Sequence, residues 1–214
     1  MDFLDKELQK YIDEHTSEGS EVLKELDRET YDRVMTPRML SGHLQGRVLA
    51  MLCHMIKPNK VLEIGTYTGY SALCLAEAMS PDSRITTIDI NEELEEMVRR
   101  YISKSDYQDL IDYRVGNAID VIPQLTDTFD LVFIDADKTN YSNYFDLVID
   151  KIPIGGFIIA DNVLWSGKVL DKNRKKIDKD TEAIVAFNKK VHDDKRVENV
   201  LFPIRDGLMV LRKV

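Results

Sequence analysis

The chain has 214 residues, 43% hydrophobic and 31% charged, and 29 Lys and Arg against 38 Asp and Glu give a formal net charge of −9. At roughly 150 residues per domain this is one domain or two at most, long enough to bury a core without staples. Such a composition excludes a disordered or membrane-embedded chain, and the acidic balance argues against nucleic acid or an anionic membrane as the default partner. The two cysteines, Cys53 and Cys74, lie in apolar, helix-like stretches and read as buried thiols in a reducing compartment. Met1–Lys6 has no apolar core of signal-peptide length, and no uncharged run approaches ~18 residues. The expectation is a soluble, cytoplasmic protein.

The N-terminal part reads helical. Leu4, Leu8, Tyr11 and Ile12 recur at helical spacing, as do Val22, Leu23 and Leu26 after a break at Thr16–Ser20, where Ser20 is placed to cap the second helix. Pro37 ends that helix after Met35, and Ser41–Ile56 reads as a third helix closed by Lys57-Pro58-Asn59. From Lys60 the rhythm changes to short apolar runs alternating with amphipathic stretches. The runs are Lys60–Ile64, Arg84–Ile90, Ile111–Val115, Phe129–Ile134 and Gly156–Ala160, with helices near 69–79, 92–104, 118–125 and 141–151 between them. Unbroken apolar strands alternating with helices indicate a parallel sheet covered on both faces. After a helix near 181–192, Val197–Pro203 and Gly207–Lys213 read as an antiparallel hairpin. The expected fold is a doubly wound, Rossmann-like, mostly parallel seven-stranded α/β sheet with a C-terminal antiparallel hairpin. Residues 1–214 read as a single domain, with 1–57 a helical extension and 58–214 the α/β core.

In open α/β sheets ligands bind at the carboxyl ends of the strands, near the point where strand order reverses. The first strand ends in Glu63-Ile64-Gly65-Thr66-Tyr67-Thr68-Gly69-Tyr70-Ser71. Its two glycines let backbone pass close to a ligand, but the pattern is neither a phosphate loop nor a complete dinucleotide fingerprint, and a plain tight turn explains it as well. Asp89 closes the second strand about 20 residues on, placed either to accept from ribose hydroxyls or to cap the following helix. Asp135 closes the fourth strand and Asp161-Asn162 the fifth. These three hard oxygen donors suit Mg²⁺, and they equally suit helix capping.

Taken together, several segments resemble the cation-dependent O-methyltransferases, the group that includes the catechol and caffeoyl-coenzyme A enzymes. The segments are Met39-Leu40-Ser41-Gly42-His43-Leu44-Gln45-Gly46, Glu63–Ser71, Ile88-Asp89, Gly116-Asn117-Ala118, Phe133–Lys138 with Tyr141, Ala160–Trp165, and Asp206-Gly207-Leu208. The resemblance runs from about Thr36 to the C-terminus. It implies S-adenosylmethionine as cofactor, its methionine end held by the Glu63–Gly65 turn and Ser71, its ribose by Asp89, and its adenine flanked by Asn117 and Ala118. Met39, Ser41, Tyr67, Asp135 and Asp137 complete the implied cofactor contacts. It also implies a metal site of Asp135, Asp161 and Asn162 for Mg²⁺, or Mn²⁺ or Ca²⁺ in vitro, with Lys138 as general base and Asp135 beside it as the second catalytic residue. Asp137 stands where animal catechol enzymes carry an aromatic residue, as in the coenzyme A ester branch.

The chemistry these residues would serve follows from need. A neutral phenol is a poor nucleophile near pH 7, because its unperturbed pKa is ~10. A metal chelated by both catechol oxygens favours the anion and aligns one oxygen with the methyl group. The resemblance therefore implies methylation of a small ortho-dihydroxy aromatic, of catechol or caffeoyl type, by a homodimer with no membrane partner. Met39–His43, Leu164 and Trp165 would form the aryl pocket, although Trp165 serves equally as a core-covering aromatic. Lys168, Lys172, Arg174, Lys175, Lys176 and Lys179 make Lys168–Lys179 basic. That loop is either a solvated surface or a lid that attracts an anion. Some bacterial relatives resembling this chain methylate a hydroxylated uridine in transfer RNA, which is the alternative substrate the loop would serve.

Overall fold

A computed structural model describes residues 5–170 and 178–214. Helices α1 (Lys6–Glu14) and α2 (Glu21–Arg33) open the chain, and Ser20 caps α2 through a hydrogen bond from the Leu23 N–H. The second helix stops at Arg33, before the expected Met35, because Val34 is already extended. Pro37 bars the α region to the residue ahead of it and starts a single 3₁₀ turn, Pro37–Met39, which the periodicity did not predict. Helix α3 (Gly42–Ile56) closes on Lys57 in the left-handed conformation.

The alternating part follows as β1 (Lys60–Ile64), α4 (Tyr70–Glu77), β2 (Arg84–Asp89), α5 (Glu95–Lys104), β3 (Ile111–Val115), α6 (Ala118–Val121), β4 (Leu131–Ile134), α7 (Tyr141–Ile149), β5 (Phe157–Ala160), α8 (Lys179–Asp193), β6 (Val197–Phe202) and β7 (Leu208–Lys213). The seven strands form one sheet in the order β3-β2-β1-β4-β5-β7-β6. β4 lies parallel between β1 and β5, while β7 is antiparallel to both β5 and β6, so the expected hairpin and mostly parallel sheet are both present. Strand order reverses between β1 and β4, where Ile64 pairs with Ile134.

The chain divides into two compact units. One takes in 60–65 and 117–214, with β4 wholly buried and Tyr141 meeting Phe187 of α8 edge-on at 5.4 Å between ring centres. The other takes in described residues 5–59 together with 66–116. It packs Leu23, Leu26, Leu40, Tyr70, Leu73, Cys74, Met97 and Tyr101 into one cluster. Both cysteines are buried and outside any disulfide among the described residues, as expected, and burial pushes the Cys53 thiol up to about 12. Among the described residues no helix is long and apolar enough to cross a membrane.

Candidate active site

The carboxyl ends of β1, β4 and β5 belong to one unit, and Glu63, Gly65, Asp135, Asp137, Lys138, Asp161 and Asn162 of the sequence-predicted residues sit there. Glu63 is fully buried near the end of β1. Gly65 follows at φ 100°, and a Cβ at that position would lie 2.0 Å from the Asp135 carbonyl oxygen. The glycine is therefore demanded by the approach of β4's end as well as by its own left-handed backbone. The contact is locked by the Asp135 N–H, which donates to the Ile64 carbonyl at 2.8 Å.

Past β4, Lys138 opens a 3₁₀ turn that runs into α7, and it is only 8% exposed. A buried ammonium must be paired. Lys138 Nζ donates to Asp135 Oδ1 at 2.9 Å and to the Tyr141 hydroxyl at 2.6 Å. Tyr141 Oη in turn donates to the Asp161 carbonyl at 3.0 Å, with the Ile134 carbonyl at 3.3 Å. Burial, and then the negative charges of Asp135, Asp161 and Asp137, hold this phenol well above its ordinary pKa, so it remains a neutral bridge between the ends of β4 and β5. In the sequence Tyr141 is visible only as part of a motif. Its spacing of three from Lys138, which places both on one face of a helical turn, was the signal for its role.

Asp161 is 2% exposed, and its Oδ1 accepts the N–H of Asn162, itself at φ 59°. Asp137 turns the other way. It is exposed, with Oδ1 accepting from Tyr144 at 2.5 Å and Oδ2 from Asn140 at 2.6 Å and Thr139 at 3.1 Å. Asn117 caps α6 by accepting the Ile119 N–H, and Ala118 behind it is buried. Trp165 lies over the site at φ 45°, with Lys138 Nζ 5.9 Å and Lys168 Nζ 5.6 Å from its ring centre.

The second unit holds the remaining predicted residues. Asp89 uses both oxygens on backbone, Oδ2 accepting from Tyr67 N–H at 2.6 Å and Oδ1 from Asn91 N–H at 2.8 Å. The capping of the following turn falls to Asn91, whose Oδ1 accepts the Glu93 N–H. Tyr67, at φ 51°, donates its hydroxyl to the Thr36 carbonyl at 3.0 Å and ties down the segment that carries Met39. Met39 is exposed, while Ser41 and Ser71 are buried. Of the basic segment, residues 171–177 lie outside the described residues, so the anion-lid expectation falls largely there. Within reach, Lys168 pairs with Asp178 at 3.1 Å.

The donor chemistry fits a hard cation. Two carboxylates and an amide close adjacent parallel strands, and Asp161 is a carboxylate withdrawn from water. Among the described residues no three His, Cys, Asp or Glu side chains gather as a metal cluster, and the predicted set has only two such residues, with Asn162 as its third member. A cation held this way would keep open positions for water or substrate oxygens.

Comparison with known proteins identifies the family, as O-methyltransferase. The O-methyltransferase family model matches residues 13–214. The caffeoyl-CoA O-methyltransferase of Petroselinum crispum is 36% identical over 91% of this chain and 84% of its own length. Among solved structures, the methyltransferase PaMTH1 of Podospora anserina, bound to S-adenosylhomocysteine, superposes with a TM-score of 0.90 at 26% identity, covering 99% of this chain and 97% of that one. The O-methyltransferase of Bacillus cereus, also in complex with S-adenosylhomocysteine, gives 0.88 at 27% identity over 97% of both chains. With its sheet order, its strand-end carboxylates and this match over nearly its whole length, the chain belongs to the O-methyltransferase family.

Proposed function

We propose that this protein transfers the methyl group of S-adenosylmethionine to one hydroxyl of a metal-chelated ortho-dihydroxy aromatic, of catechol or caffeoyl type. The observation that carries the reading is the buried Lys138 ammonium, 2.9 Å from Asp135 and 2.6 Å from Tyr141, at the end of the strand beside Asp161 and Asn162. The names of relatives such as the Petroselinum crispum enzyme, and the S-adenosylhomocysteine bound in neighbouring structures, support the acceptor class and the cofactor.

In this reading Asp135, Asp161 and Asn162 hold Mg²⁺. Met39, Ser41, Glu63, Gly65, Tyr67, Ser71, Asp89, Asn117, Ala118 and Asp137, with Asp135, bind the cofactor. When bound, the two groups supply a Lewis acid that favours the phenolate and a sulfonium methyl that accepts its electron pair. As the neutral amine, with its own proton already lost to solvent, Lys138 would take the proton of the acceptor hydroxyl at the Nζ lone pair, while its two remaining N–H groups, held by Asp135 and Tyr141, keep that lone pair aimed at one place. Tyr141 also fixes the Asp161 backbone, so base and metal ligands are set by one hydroxyl. The half-buried side chains of Trp165 and Leu164 would limit the water that competes with the acceptor oxygen. The reading includes a homodimer acting in the cytoplasm, and treats the chain as one working domain with residues 1–57 covering the substrate.

The test is a variant series. Asp161→Ala should lose measurable turnover of a 3,4-dihydroxy aromatic acid while S-adenosylmethionine still binds by calorimetry, and Asp135→Ala should lose turnover by a larger factor than cofactor affinity. Lys138→Met should lower kcat by about 10²–10⁴-fold, the usual contribution of a general base. Undiminished turnover by Asp161→Ala in excess chelator would remove the metal assignment.

A further inference from the structure

Beyond β5 the backbone enters the left-handed region four times in six residues, at Asn162 (φ 59°), Trp165 (φ 45°), Ser166 (φ 51°) and Gly167 (φ 75°). Two of these, Trp165 and Ser166, carry side chains for which that region is costly, and such a turn persists only where its surroundings over-determine it. The surroundings are supplied by residues 205–207. The backbone of that segment accepts two N–H groups, Leu164's at the Asp206 carbonyl (2.8 Å) and Val163's at the Gly207 carbonyl (3.2 Å). Gly207, at φ 90°, lets the two segments touch, since a Cβ there would lie 2.6 Å from Leu164 Cγ. One side chain reaches the left-handed pair itself. Asp206 Oδ1 accepts the Ser166 N–H at 2.5 Å.

What this turn carries is Trp165, whose ring faces Lys138 Nζ at 5.9 Å and whose Nε1 is enclosed with no hydrogen-bond partner among the described residues. Asp206 is half-buried and lies in the field of Lys138 and Arg205. We propose that Asp206 is a positioning residue, whose carboxylate holds the Trp165–Ser166 turn in its strained form and so keeps the indole against the Lys138 ammonium. It touches no reacting atom. Its catalytic consequence rests on the methyl-transfer reading, and its structural consequence does not.

Trp165 is the only tryptophan of the chain, so its emission, excited selectively over tyrosine, reports on this turn alone. In the protein without added ligands, Asp206→Ala should red-shift the emission and raise acrylamide quenching. Asp206→Asn, which keeps an oxygen to accept the Ser166 N–H, should match the wild type in both. In catechol turnover Asp206→Ala should lower kcat on the order of 10²-fold, the effect of misplacing a reacting group by about 1 Å, with S-adenosylmethionine affinity unchanged. If Asp206→Ala does not fold, Gly207→Ala attacks the same turn through Leu164 with the carboxylate intact and should give the same red shift. Wild-type emission and quenching in Asp206→Ala overturns the proposal, as does a loss of both in Asp206→Asn. An emission shift with kcat and KM unmoved overturns the catalytic half. If the wild type methylates no catechol, the methyl-transfer reading alone fails, and the emission series still decides for or against the clamp.

Discussion

At the scale of single residues, the site is organised by one hydroxyl. Tyr141 accepts from Lys138 and donates to the backbone of Asp161, two bonds made where water is excluded. Tyr141→Phe keeps the edge-on contact with Phe187 but leaves a buried ammonium with one fewer acceptor and the Asp161 carbonyl with one fewer donor. The expected cost is about 1–3 kcal/mol in urea unfolding, with a fall in kcat and no change in cofactor affinity. Equal stability and equal kcat would show the hydroxyl to be dispensable. The carboxylates and amide at the strand ends were legible in the sequence because a polar residue closing an apolar run has few uses in a buried sheet. Tyr141 was not singled out, because a buried tyrosine in an amphipathic helix looks like core until its partners are known. Asp206 was likewise visible only as a motif, since its partner Ser166 is forty residues away. Asp89 shows the opposite limit. Helix capping and ribose binding were both readable for it, and the structure gives its oxygens to the Tyr67 and Asn91 N–H groups while the cap falls to Asn91.

Between elements, the clearest polar joint is α2 against α5. Glu29 is bidentate to Arg100 at 2.7 and 3.0 Å and accepts the Tyr101 hydroxyl at 2.6 Å. Hydrogen bonds from Arg100 and then Tyr101 lower its carboxyl from 4.5 to about 2. A carboxylate depressed on folding stabilises fully above its unfolded pKa, and that stabilisation is lost as pH falls through the folded one. Glu29→Gln should therefore destabilise by about 1 kcal/mol at pH 7, discounted because Arg100 is 40% exposed. The gap between variant and wild type should close between pH 4.5 and about 2, the two ends of the shift. Urea midpoints across that range check the sign, and a gap that widens toward acid would contradict it. All seven strands and the helices between them were legible from periodicity, because β1, β4 and β5 are short apolar runs bounded by turn residues. Their ends were less so. Pro123 cuts the expected 118–125 helix to Ala118–Val121 and a 3₁₀ turn, and the helix expected from Glu92 begins as a 3₁₀ turn before α5. Local backbone restrictions settled these limits, not the hydrophobic pattern.

For the whole molecule, the sheet order carries the most weight. Reversal between β1 and β4 brings the Gly65 turn and Asp135 to the same crevice, which is where an open α/β sheet offers a site. The order itself could not be read from the sequence, because strand adjacency is set by crossovers that leave no local mark. Alternation of strand and helix pointed to a doubly wound, mostly parallel sheet, and no further. A net charge of −9 is consistent with a small-molecule acceptor, and the acidic strand ends account for only a few of those charges.

The proposed activity is metal-dependent methyl transfer to a chelating dihydroxy aromatic. The most direct test incubates the wild-type protein with labelled S-adenosylmethionine and a 3,4-dihydroxy aromatic acid, with Mg²⁺ and with excess chelator, and identifies the product by mass spectrometry. The account predicts a monomethylated product that forms with Mg²⁺ and disappears with chelator. Transfer that continues undiminished in chelator, or no transfer from protein that binds S-adenosylmethionine and Mg²⁺, would contradict it.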